Sequence, residues 1–79
     1  MDKNDILTRV KEVVSSVLKV DSSEITDKAN FIFDLGADSM QSIELVAGFE
    51  EAFDIEMDQD KALEIQTIED AVNFIAEYL

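Results

Sequence analysis

Apolar residues recur in this chain at three- and four-residue steps, in separate blocks bounded by capping residues. Ile6, Val10, Val13, Val14, Val17 and Leu18 form the first block, Leu45, Phe49 and Phe53 the second, and Ile68, Ala71, Val72, Ile75, Ala76 and Leu79 the last. That period puts each block on one face of a helix and leaves each helix with a stripe that must be buried against another. No proline interrupts the blocks and no paired glycines divide strong β-forming runs, which argues against a sheet. A chain of 79 residues has room for one thin core, burying about 60% of its unfolded surface. The predicted fold is therefore all-α: one domain over residues 1–79, a small four-helix bundle of three longer helices and a short one.

The spacing predicts helix one over about 5 to 19, from an Asn4 or Asp5 start. A long polar connection follows, with Ile25, Phe31 and Leu35 as inward anchors and Gly36 permitting a tight turn. Helix two is predicted over about 39 to 53, the third from Asp58 to Leu63, and the last from the capping signal Thr67-Ile68-Glu69-Asp70. On helix two, Ile43 and Val46 flank the core stripe towards a cleft. Gly48 lies inside that helix, where glycine costs about 0.8–1.0 kcal/mol against alanine. Close approach of another backbone, a wider interior and simple tolerance all remain open for it.

The junction ahead of helix two carries the chemistry. Asp38 is placed to cap the helix, and Gln41, three positions on, completes a capping-box spacing. Ser39 then falls in the first turn, where unpaired amides and the positive end of the helix dipole favour a phosphate ester. The same two residues would also serve as an ordinary helix start.

Composition excludes several classes. The chain has no His and no Cys, hence no usual neutral-pH base, no thiol nucleophile and no soft metal ligand. Its net charge is −13, and residues 29–79 hold 13 acids against Lys61 alone. Such a surface repels nucleic acid and steers basic proteins towards that half of the molecule. No apolar run approaches the roughly 20 residues that span a bilayer, and the first residues are polar, so a cytoplasmic protein without membrane contact is expected. Asp54, Glu56, Asp58 and Asp60 alternate like the first ligands of a calcium loop, but Gln59 stands where glycine is needed and Ile65 where the bidentate glutamate belongs. No metal site is expected beyond weak, charge-driven binding.

Phe31-Ile32-Phe33-Asp34-Leu35-Gly36-Ala37-Asp38-Ser39-Met40, with Ile43-Glu44-Leu45-Val46 and Phe49-Glu50-Glu51-Ala52-Phe53, resembles the acyl carrier proteins, and the resemblance spans essentially the whole chain. It implies a non-enzymatic carrier of acyl intermediates in fatty acid or related biosynthesis, polyketide and lipid modification included. By resemblance Ser39 bears 4'-phosphopantetheine, taken from coenzyme A by a phosphopantetheinyl transferase, and Asp38 caps and orients it. It further implies a partner face on helix two, at Met40, Gln41, Glu44, Ala47, Glu50 and Glu51, for basic patches on acyl-transferring, condensing or reducing enzymes. Phe31, Leu35, Ile43, Phe49, Met57, Ile65, Ile68, Ala71 and Phe74 match positions lining the acyl cavity, and a monomer is implied. Phe33, Met40, Gln41 and Ala47 depart from the family's usual residues. The rival readings are an unmodified acidic helical adaptor for a basic partner and, ranked lower, a degenerate calcium sensor.

Overall fold

In the computed structural model, which describes residues 2–79, four α-helices and one short 3-10 turn follow one another along the chain. α1 spans Lys3–Leu18. It starts ahead of the expected position because the Asp2 carboxylate accepts the Asp5 amide hydrogen at 3.0 Å and caps the helix there. Ile6, Val10 and Val14 are buried completely, and α1 packs against both remaining long helices.

α2 spans Ser39–Phe53, the range its capping signal predicts. Where it crosses α1, a Cβ on Gly48 would lie 2.7 Å from Val13 Cγ1. Close helix approach is thus the role of this glycine: it lets α1 and α2 touch and does not widen the interior. α3 is a single turn, Gln59–Ala62, capped by Asp58, and ends short of the predicted Leu63. α4 spans Ile68–Ala76, with the Thr67 hydroxyl accepting the Asp70 amide at 3.1 Å. Ile68, Ala71, Val72 and Ile75 are buried as its stripe predicts, but Leu79 is exposed. The reason is local: the Glu77 amide bonds the Phe74 carbonyl, tightening the last turn and carrying Leu79 off the stripe.

The connection between α1 and α2 is more ordered than its polarity suggests. A 3-10 turn, Ser22–Glu24, is capped by Asp21, whose carboxyl is held below the usual carboxylate range by the Ser23 amide and hydroxyl. Further on, Asn30 organises the loop, its Oδ1 accepting the amides of Ile32 and Phe33 at 2.9 and 3.0 Å. The Asn30 amide in turn donates to Asp34 Oδ2 at 2.7 Å. Ile25 and Phe31 are buried anchors and Leu35 is half-buried, while Gly36 adopts φ 74°, the left-handed turn expected of it. Phe31 donates its amide to the Gln66 carbonyl and Ile68 to that of Ala29, tying the loop to the start of α4.

Two of the alternating acids after α2 have structural work. Asp54 is the left-handed C-cap of α2, and Asp58 accepts the amides of Asp60 and Lys61. Among the described residues no group of three or more potential ligands is placed to hold a metal ion.

Candidate functional site

Ser39 sits in the first turn of α2, exposed. Both halves of the predicted capping box form: the Gln41 amide donates to Asp38 Oδ1 at 2.8 Å and the Asp38 amide to Gln41 Oε1 at 3.1 Å. The Ser42 amide and hydroxyl both donate to the Asp38 carbonyl. These bonds run through residues 38, 41 and 42, so the cap fixes the turn while leaving the Ser39 hydroxyl outward. No acidic side chain occupies the first turn itself, and the helix dipole there favours an anion. An exposed hydroxyl on a rigid, anion-favouring helix end fits a phosphodiester.

Beside it opens an apolar cleft of about 310 Å³. At about 100° per residue, Ser39, Ser42, Val46 and Phe49 fall on neighbouring lines of α2, and all but Ser39 line the cleft. Leu45 joins them on the helix side, Phe31 closes the loop side, and Met57, Ala62 and Ile65 form the opposite wall. Polar groups of Asn30, Ser42, Glu64 and Gln66 interrupt the lining, and Ile32, Phe33 and Leu63 stand at its edge. The far wall is pinned from two sides. Glu50 Oε2 accepts the Met57 amide at 2.9 Å, and the Tyr78 hydroxyl accepts that of Asp58 at 3.1 Å.

Four of the nine residues predicted to line a cavity meet here: Phe31, Phe49, Met57 and Ile65. The other five lie outside this cleft. Ile68 and Ala71 are fully buried core, because the α4 stripe faces α1; Leu35 packs half-buried on that core. Ile43 points to solvent on the far side of Ser39 from the cleft, and Phe74 borders a separate shallow groove, its ring edge-on to Tyr78 at 5.3 Å. Leu45 and Val46, read as core and flank, line the cleft while buried, whereas Asn30, Ser42 and Gln66 carried no cavity signal in the sequence.

The predicted partner face divides as well. Met40, Glu44, Ala47 and Glu51 are exposed and share one outward face of α2. Gln41 is half-buried and used in the cap, and Glu50 is half-buried and used against Met57.

The phosphopantetheine attachment site family matches residues 8–75. That match defines a carrier domain for a phosphopantetheine arm. The chain is 54% identical over 74 residues to the acyl carrier protein of Caulobacter vibrioides (strain NA1000 / CB15N), covering 94% of this chain and 95% of the relative. It is 53% identical over 76 residues to the acyl carrier protein of Phenylobacterium zucineum (strain HLK1), covering 96% of each. The chain belongs to the acyl carrier protein family. It is a carrier and not a catalyst, its acyl groups held as thioesters on a covalent 4'-phosphopantetheine arm. A phosphopantetheinyl transferase and biosynthetic enzymes are its partners as a family member. No helix among the described residues is long and apolar enough to cross a membrane.

Proposed function

We propose that Ser39 is the residue that bears the arm, and that the cleft beside it receives the acyl chain. The observation that carries this reading is the placement of an exposed serine at the rigid N-terminus of α2, on the helix line that continues into the apolar cleft through Ser42, Val46 and Phe49. In loading, Ser39 Oγ attacks the coenzyme A phosphorus that bears the pantetheine oxygen. A phosphodiester forms as the phosphoanhydride bond breaks, the hydroxyl proton passes to a base on the transferase, and adenosine 3',5'-bisphosphate leaves. Asp38 contributes by holding the turn, since its carboxylate and carbonyl take the Gln41 and Ser42 amides.

The exposed face of Met40, Glu44, Ala47 and Glu51 docks basic patches of enzymes in fatty acid or related acyl biosynthesis, supported by the 13 acids against one lysine in residues 29–79. The chain acts as one domain and a monomer, in the cytoplasm. Incubation with coenzyme A and a phosphopantetheinyl transferase, followed by intact-mass measurement, tests the attachment. Wild type gains one phosphopantetheine and Ser39→Ala gains none. A modified Ser39→Ala chain would overturn the assignment, and a wild type that is never modified would return the chain to an unmodified acidic adaptor.

A further inference from the structure

Seven large apolar side chains are exposed among the described residues, and they are not scattered. Two, Tyr78 and Leu79, lie at the C-terminus. The other five surround the site: Ile32, Phe33 and Leu63 at the edge of the cleft, and Met40 and Ile43 on α2 beside Ser39. Phe33 is the extreme case, 88% exposed. Isolated exposed apolar residues are ordinary, but several around one functional rim mark an interaction surface.

Phe33 is also held firmly. Its amide donates to Asn30 Oδ1, and the neighbouring turn is closed by Gly36 to the Ile32 carbonyl at 3.1 Å and by Ala37 to the Phe31 carbonyl at 2.8 Å. Those bonds bring the loop that displays the ring against the residues immediately ahead of Asp38 and Ser39. The backbone beneath an outward aromatic ring is therefore pre-organised, as a binding anchor requires.

The occupant follows from reach. Enzymes that use the arm dock on the outward face of α2 and take the thioester at the arm's far end, whereas the enzyme that installs it must bring its active site onto the Ser39 hydroxyl itself and cover the loop immediately before it. We propose that Phe33 is a docking anchor for the phosphopantetheinyl transferase, filling an apolar socket bordered by Lys or Arg side chains, so that the loop before α2 is a second recognition element beside the outward face of that helix. The basic border is dictated by exposed Glu44, Glu51 and Glu64 and by the −12 balance of residues 29–79. This rests on the assignment of Ser39.

The test is steady-state loading of the apo chain with coenzyme A, using a transferase that accepts the Caulobacter vibrioides acyl carrier protein. Phe33→Ala should raise KM for the chain about thirtyfold, the lower limit of an aromatic hot spot, with kcat and melting temperature unchanged. Phe33→Tyr should restore most of the loss, and Leu79→Ala, which removes another exposed apolar side chain away from the site, should match wild type. An unchanged KM for Phe33→Ala would overturn the proposal. So would an unchanged KM accompanied by weaker acyl-dependent stabilisation, which would make the ring a cover for the cargo. Failure of the Ser39 assignment is distinct, because the wild type would then not load at that residue.

Discussion

At the scale of single residues, two positions work against ordinary helix preferences, and each has a readable cause. Gly48→Ala gains about 0.8–1.0 kcal/mol of helix propensity but drives a Cβ to 2.7 Å from Val13 Cγ1. Val13 is β-branched and half-buried, so it yields poorly, and overpacking of this kind costs about 1–3 kcal/mol. The substitution should lower stability by about 1 kcal/mol, or roughly 4–8 °C in melting temperature. In a Val13→Ala background the same change should stabilise, a reversal that a double-mutant melting cycle reads directly. Asp54 is the opposite case. It holds φ 55° at the C-cap of α2, placing a negative charge at the negative end of the helix dipole. Asp54→Asn keeps a residue tolerant of that conformation and removes the charge, so urea denaturation should show a gain of about 0.5–1 kcal/mol.

At the scale of elements, the junction before α2 was the most legible part of the chain, because a capping box is a local device: Asp38, Ser39 and Gln41 needed only each other to be read. Asp38→Ala should destabilise by about 1 kcal/mol and also slow loading of Ser39, since the turn presenting the hydroxyl frays. Melting and transferase kinetics on the same preparation check both. The loop before it was legible only in its anchors. Asn30 organises residues 30–34, and its neighbours bond backbone groups of residues 66–68, partners that no local pattern announces. The cleft was half legible for a related reason. The period of α2 separates buried from exposed positions, but which buried positions face α1 and which face the wall at residues 57–65 depends on how the helices are rotated in the bundle. Ile68 and Ala71, which match cavity positions by resemblance, pack as core against α1 in this bundle.

At the scale of the whole molecule, charge dominates. The chain carries −13, and among the described residues the one ion pair is Lys11 with Asp27 at 3.2 Å. Salt has little attraction to screen and much repulsion, so raising sodium chloride from about 0.01 M to about 0.5 M, where the Debye length falls several-fold, should raise the melting temperature by several degrees. Partner association should respond in the opposite sense, with Glu44→Lys or Glu51→Lys slowing loading most at low salt. The two salt effects separate folding from docking. What joins them is a thin bundle whose apolar cleft is walled by one turn of helix and pinned through Glu50 and Tyr78. Cargo entering that cleft from Ser39 should stabilise the fold, since each methylene removed from water contributes about 0.8 kcal/mol before the helices adjust. The direct measurement is the melting temperature of the wild-type chain bearing the free-thiol arm and of the same chain bearing an eight-carbon acyl group. The acylated form should melt higher; equal melting temperatures would mean that the chain stays in solvent and that the cleft beside Ser39 has no part in carrying it.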